Sequence, residues 1–269
     1  MNNIVFSSSS IQGIIFSTFL TILVPICYLW YYKKKTGAKV SSFFVGITFS
    51  LLFSFIGTSL LNTIVLSVLG AGTFLNAHVH PIYSSLYASF SAGLMAAIGS
   101  YVGLKYAMKT RTGINNAVVF GVGKGGLECI LNGGTIYITN LIAALLINSI
   151  GSEEYFKKLG LQGEELAETK ALFAEQAAIP AFSYIMDATY LLIALCLHVA
   201  LAIFIEQAIR NIKARYFFPL AIGLHILGYI PMYISKQSGF QNSMLILSIS
   251  VVYTFVVCIS SYRLYRSEN

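Results

Sequence analysis

Seven apolar stretches, each long enough to cross a lipid bilayer, are the feature that most limits what this chain can fold into. They lie near 11–32, 43–69, 82–107, 115–149, 181–209, 216–235 and 241–262. A helix needs about 20 residues to cross the hydrocarbon core, where lipid offers no partner to an unpaired backbone group. Of the 269 residues, 57% are hydrophobic and 10% charged, whereas soluble domains carry roughly 25% charged residues. We therefore predict an all-α, multi-pass protein of the cell membrane, with a single transmembrane domain over 1–269.

The basic residues predict how these spans are oriented. Twelve of the 17 lysines and arginines lie at the C-terminal end of spans one, three, five or seven or in the residues that follow: Lys33, Lys34, Lys35, Lys39, Lys105, Lys109, Arg111, Arg210, Lys213, Arg215, Arg263 and Arg266. Cytoplasmic connections of membrane proteins carry such an excess. We predict that the N-terminus lies outside and the C-terminus in the cytoplasm, which an odd number of spans requires. The net charge of +7 is thereby explained by topology, and no nucleic-acid partner is predicted.

The cysteines and the longest connection between spans do not indicate a functional site. The four cysteines (Cys27, Cys129, Cys196, Cys258) all fall in apolar stretches, and their spacing is not that of a disulfide framework or a metal knuckle. The long connection at about 150–180 has six glutamates and a weak helical apolar stripe. That pattern predicts a solvated connector, part of which is a short helix at the membrane interface.

Three ionisable residues stand alone in the apolar stretches: Glu128, His198 and His225, each in a different span. Such a group costs several kcal/mol in lipid unless it is paired, so it marks a candidate functional site. The two histidines lie about 14 residues before and about 13 after the turn near 212–213. At 1.5 Å per residue their depths differ by only about 2–3 Å. Glu128 reaches a similar depth on span four, so we predict one polar centre within the bilayer.

Span four carries further polar residues next to this centre. Lys124, Glu128 and Asn132 recur at i, i+4 and i+8 within the segment GVGKGGLECILNGG, and therefore share one helix face. Gly121 and Gly125 form a GxxxG pair, which allows close helix packing in lipid, and so many glycines also favour local unwinding. A less specific alternative is that Lys124 merely forms an ion pair with Glu128. Likewise, each histidine by itself is compatible with a packed structural role.

A glycine-rich helix bearing Glu128, followed by His198 and His225 in the next two helices, resembles the YhfC family of intramembrane proteases. That family is placed within the superfamily of type II CAAX prenyl-endopeptidases, which also includes the seven-span scaffold subunit of gamma-secretase. The CAAX enzymes carry a paired Glu-Glu, an FxxxH and an HxxxN-type motif. Here Leu127, Ala194 and Tyr229 occupy the positions of the first Glu, the Phe and the Asn. The resemblance covers most of the chain and implies the fold and a proteolytic activity.

The resemblance implies an intramembrane endopeptidase that cleaves a membrane-embedded or lipidated peptide, and the residue types predict that it does so with a glutamate-activated water. Glu128 is the expected general base, and His198 and His225 position the water or donate to the oxyanion. Asn132, Lys124 and Tyr229 are the expected supporting residues. In this version of the mechanism no cofactor is needed, and the partners are the substrate peptide and the lipid bilayer.

Two alternatives stay open at this stage. Glu128, His198 and His225 also form an acceptable zinc ligand set with a free fourth position, although the HExxH signature is absent. Outside enzymes, a multi-pass scaffold or a small-solute transporter would also carry buried polar residues. No internal repeat of the kind seen in many transporters is evident.

Overall fold

The computed structural model describes residues 3–237 and 243–267, and within these ranges the regular structure is entirely helical. The α-helices are α1 (Ser8–Thr36), α2 (Ser41–Phe49), α3 (Thr58–Asn62), α4 (Pro81–Val102), α5 (Ile114–Cys129), α6 (Thr135–Ile150), α7 (Ser152–Leu159), α8 (Gly163–Ala178), α9 (Ala181–Arg210), α10 (Phe217–Gln237) and α11 (Ser243–Arg266). Four π-helical segments continue or join them, at Ser50–Gly57, Thr63–Val68, Gly103–Ala107 and Ile130–Gly134.

The prediction of seven membrane-spanning helices is confirmed within residues 3–237 and 243–267, where seven helices are long and apolar enough to cross a bilayer. The spans are Ser8–Thr36, Ser41–Val68, Pro81–Ala107, Ile114–Ile150, Ala181–Arg210, Ile212–Ser235 and Met244–Arg266. The first and last spans run several residues past their predicted ends, because helices continue beyond the apolar core into their basic flanks. Residues 241–242 of the predicted seventh span lie outside the described residues. The orientation of the termini and the single-domain organisation stay predictions.

The predicted connector at 150–180 contains two helices, α7 and α8, instead of one short one. Gly160, with a φ of +71°, ends α7, because that left-handed conformation suits glycine. An exposed ion pair joins the two helices, with Lys170 Nζ 2.9 Å from Glu153 Oε1. Helical structure in the connector is therefore confirmed, and it extends over more residues than the sequence indicated.

The chain divides into two compact units. The first comprises Met1–Val24 and Cys129–Leu191, and the second comprises Pro25–Glu128 and Leu192–Asn269. In the first unit, Ile14, Tyr137, Tyr184 and Ala188 form one of the buried clusters. An added Cβ on Gly13 would lie 2.8 Å from the Ala181 Cα, so α1 and the start of α9 pack with their backbones in contact.

The second unit holds a larger apolar core, built mainly by α9 with residues from α5, α10 and α11. Phe120, Leu201, Ile205 and Ala221 are fully buried in it. Helices α4 and α10 also pack with their backbones in contact. A Cβ added to Gly93 would lie 2.7 Å from the Ile226 backbone nitrogen. In lipid such contacts between small residues supply much of the packing energy that water would supply in a soluble protein.

Candidate active site

Helix α5 is held against α9 by the predicted GxxxG pair, which the structure confirms as a packing surface. A Cβ on Gly121 would lie 2.6 Å from the Val199 Cα, and one on Gly125 would lie 2.6 Å from the Leu195 Cα. Any larger residue would force the two backbones apart. The pair therefore brings α5 into contact with α9 immediately before Glu128.

The opposite face of α5 is packed just as closely against α2. A Cβ on Gly46 would clash with the carbonyl oxygen of Phe120, and one on Gly123 would clash with that of Phe43. Because α5 is confined on both faces, its rotation about its own axis is set. The predicted unwinding is not seen between Gly121 and Gly126, which stay α-helical, and the helix widens only at Ile130–Gly134.

Glu128 and His198 form the centre of the site. The Glu128 Oε2 lies 2.9 Å from the His198 Nε2, and the two residues are 8% and 3% exposed. A hydrogen bond between a carboxylate and an imidazole is strong in a low-dielectric interior, and each group compensates the burial of the other. The structure thus brings together two of the residues that were predicted from different spans.

His225 contacts the other edge of the His198 ring. Its Nε2 lies 3.4 Å from the His198 Nδ1, a long hydrogen bond, and the ring centroids are 5.3 Å apart. His225 is 1% exposed. The His198 imidazole therefore lies between Glu128 and His225, with one nitrogen directed to each.

Tyr229, one turn after His225 on α10, completes the cluster. Its hydroxyl donates to Glu128 Oε2 at 3.3 Å and lies 3.1 Å from His198 Nε2. The side chain is buried. Three polar atoms are consequently in mutual contact: Glu128 Oε2, His198 Nε2 and the Tyr229 hydroxyl oxygen.

Lys124 does not form the ion pair with Glu128 that the sequence left open. Its Nζ donates to the Ala96 carbonyl oxygen at 2.6 Å and to Ser100 Oγ at 2.8 Å. Helical side chains point towards the N-terminus, so the Lys124 ammonium reaches away from Glu128 one turn further on. Within the described residues, the basic side chain in contact with the Glu128 carboxylate is His198, with its Nε2 2.9 Å from Oε2. Ser100 carried no sequence signal that would have identified it as the partner.

Asn132 lies outside the second unit. It is exposed and belongs to the π-helical segment Ile130–Gly134 of the first unit. The stripe predicted from a period of 3.6 residues does not continue through this segment, because i→i+5 hydrogen bonds widen the turn and change the phase. The supporting role of Asn132 stays a prediction.

The predicted zinc ligands are of suitable type, but their arrangement does not suit one ion. Glu128 and His225 contact opposite edges of the His198 ring, so His198 cannot share an ion with both of them. Among the described residues, no three His, Cys, Asp or Glu side chains are placed to hold a metal.

Comparisons with known proteins agree with the membrane fold and give it a family context. The model of a family described as "YhfC intramembrane metalloprotease" matches residues 20–251. A relative from Bacillus subtilis (strain 168), "Uncharacterized membrane protein YhfC", is 22% identical over 263 residues, covering 98% of both chains. No solved structure matches the chain.

Proposed function

The chain belongs to the YhfC intramembrane metalloprotease family, and we propose that it is an endopeptidase acting on membrane-embedded or lipidated peptides. The observation that supports this best is the 2.9 Å contact between Glu128 Oε2 and His198 Nε2, both buried and from different spans. Paired ionisable groups at this depth are costly to maintain for packing alone. A carboxylate beside an imidazole can also activate a water molecule by general base catalysis.

In the proposed reaction Glu128 accepts a proton from a water molecule as the water oxygen attacks the carbonyl carbon of the scissile peptide. The carbonyl oxygen becomes an oxyanion in the tetrahedral intermediate. When the C–N bond breaks, the proton held by Glu128 passes to the departing nitrogen, and the products are a carboxylic acid and an amine. His198, in contact with the same carboxylate oxygen, orients the water and donates to developing negative charge.

The surroundings of this pair support a substrate that lies in the membrane. Glu128, His198, His225 and Tyr229 are each less than a tenth exposed, and they lie within membrane-spanning helices. A peptide bond can reach them only from a chain that enters the bilayer. We infer that the substrate is a transmembrane or lipid-anchored polypeptide.

The test is to compare membrane peptides from cells that contain the wild-type protein or the Glu128→Gln variant at equal levels. We expect specific new termini with the wild type that are absent with the variant. Glu206→Gln is the matched control. Glu206, on α9, is buried like Glu128, and its carboxylate accepts a hydrogen bond from the Gly113 backbone nitrogen at 2.9 Å. A glutamine oxygen can still accept that hydrogen bond, so cleavage should persist.

Identical peptide patterns in all three samples would contradict the protease proposal. If Glu128→Gln instead abolished a membrane complex without changing any peptide, a scaffold function would be indicated. Metal dependence is decided separately with the purified protein. Activity lost with a chelator and restored by zinc supports a metalloprotease, whereas chelator-resistant cleavage that requires Glu128 supports direct glutamate catalysis.

A further inference from the structure

The disagreement between the expected zinc ligands and the observed contacts leads to a different set. By residue type, Glu128, His198 and His225 should surround the reacting position. In the structure, His225 lies behind His198, while the Tyr229 hydroxyl lies beside the two reactive atoms. Tyr229 therefore occupies the position that was expected for His225 beside the reacting atoms.

We propose that Glu128 Oε2, His198 Nε2 and the Tyr229 phenol oxygen hold a divalent cation such as zinc, and that His225 is a positioning residue acting through His198. This inference rests on the proposed function, since it concerns the same site, and it changes two roles within it: Glu128 Oε2 and His198 Nε2 would bind the cation instead of acting as the base and the hydrogen-bond donor. It also gives the metalloprotease description of the family a concrete set of donors in this chain.

The separations between the three atoms support this assignment. The carboxylate oxygen and ring nitrogen are 2.9 Å apart, the ring nitrogen and phenol oxygen 3.1 Å, and the phenol and carboxylate oxygens 3.3 Å. Zinc binds nitrogen and oxygen at about 2.0–2.1 Å, which places donors of a tetrahedral site about 3.3 Å apart. Three ligands leave a fourth position for water, whose pKa a bound zinc lowers to about 7.

The proton balance of the site is consistent with this set. Cation binding requires deprotonated ligands and releases their protons. Tyr229 would lose its phenol proton to solvent, and the His198 Nε2 would carry none. The remaining His198 proton is then on Nδ1, which faces the His225 Nε2 at 3.4 Å.

His225 therefore has the contact typical of a residue behind a metal ligand. Histidines that bind metals usually donate their second ring N–H to an acceptor, which sets the tautomer and the ring orientation. Loss of such a partner typically weakens metal binding about 10- to 100-fold. Loss of Tyr229 as a direct donor should weaken it more.

The test is zinc binding by the purified full-length protein in detergent, without substrate. Competition with a chromophoric chelator gives the affinity, and the absorption spectrum of the Co²⁺ form reports the coordination. We expect one zinc per wild-type chain. Tyr229→Phe should weaken binding more than about 100-fold and change the Co²⁺ spectrum. His225→Gln should weaken binding about 10- to 100-fold and leave the spectrum nearly unchanged.

Tyr233→Phe is the matched control, because Tyr233 lies one turn further on α10 with its ring centroid 6.3 Å from that of Tyr229. Its affinity for zinc should equal that of the wild type. Tyr229→His adds a nitrogen donor at the same place and should restore part of the affinity lost in Tyr229→Phe. This recovery separates loss of a ligand from loss of folding.

The inference is overturned if the wild-type protein binds no zinc, or if His225→Gln abolishes binding while Tyr229→Phe leaves it intact. Its failure is distinguishable from failure of the proposed function. Peptide cleavage by a protein that binds no zinc would remove only the present inference. Zinc bound as described, together with unchanged membrane peptides in the Glu128→Gln comparison, would remove only the protease proposal.

Discussion

The His198 imidazole lies between Glu128 and His225, with its Nε2 2.9 Å from the carboxylate and its Nδ1 3.4 Å from the second histidine. The contact between Glu128 and His198 joins positions 70 residues apart in the chain. It depends on α5 and α9 lying with their backbones in contact at Gly121 and Gly125. The chemistry of the site is thus tied to the packing of two particular helices.

Separating α5 from α9 should disrupt the site before it unfolds the protein. In Gly125→Ala the new Cβ would lie 2.6 Å from the Leu195 Cα, which cannot yield without backbone movement. We expect a loss of about 1–3 kcal/mol in stability, typical of overpacking, and a loss of peptidase activity. Thermal unfolding in detergent and the cleavage assay measure the two effects.

The control for that substitution is Gly223→Ala on α10, where an added Cβ meets nothing within 4 Å. Alanine favours a helix over glycine by about 1 kcal/mol, so this variant should be as stable as the wild type or more so. Equal behaviour of the two alanine variants would show that the contact at Gly125 is unimportant.

Shortening the carboxylate should affect turnover more than binding. Glu128→Asp keeps the charge but withdraws the oxygen from its 2.9 Å contact with His198 Nε2. A displacement of about 1 Å in a catalytic group costs roughly 100-fold in rate. We expect kcat to fall by about that factor with little change in KM. A variant with wild-type kcat would exclude Glu128 as the base.

The buried ammonium of Lys124 should make Ser100 important for stability. Lys124 is fully buried, and in Ser100→Ala its Nζ would keep only the Ala96 carbonyl oxygen as a partner. A buried donor left without its acceptor costs about 1–3 kcal/mol, and more when charged. Thermal unfolding of the purified variant should show this loss.

Ser89→Ala is the comparison for Ser100→Ala. The Ser89 hydroxyl is also buried, but it donates to the Ser85 carbonyl oxygen on its own helix. Its removal leaves no charged group without a partner, so we expect to lose at most the net contribution of an ordinary hydrogen bond, about 0.5–1.5 kcal/mol, and less than in Ser100→Ala. If both serine variants lost the same stability, the contact with Lys124 would have no special role.

The orientation of the chain is a separate prediction from the distribution of basic residues. A reporter fused after Asn269 should fluoresce if it is green fluorescent protein and should be inactive if it is alkaline phosphatase. The reason is the lysine and arginine excess on the C-terminal side of the odd-numbered spans. The reverse pattern would show that the C-terminus lies outside, and the predicted orientation would be wrong.

Much of the fold was predictable because the bilayer restricts the choices. A span in lipid must pair its backbone groups internally, so seven apolar stretches become seven helices. The constant rise of a helix likewise predicted that His198 and His225 lie at one depth. Their contact at 3.4 Å agrees with that calculation. The GxxxG pair was also recognisable, because only small residues allow backbones to touch.

The sequence by itself therefore determined the class of fold, the number of spans and the depth of the polar residues, all of which follow from local periodicity and the solvent. Only the tertiary structure decided which edge of His198 faces Glu128, that Lys124 binds Ser100, and that Tyr229 contacts the carboxylate. These depend on the rotation of each helix about its axis. That rotation is set by contacts between distant residues, such as Gly46 with Phe120, which no local pattern records.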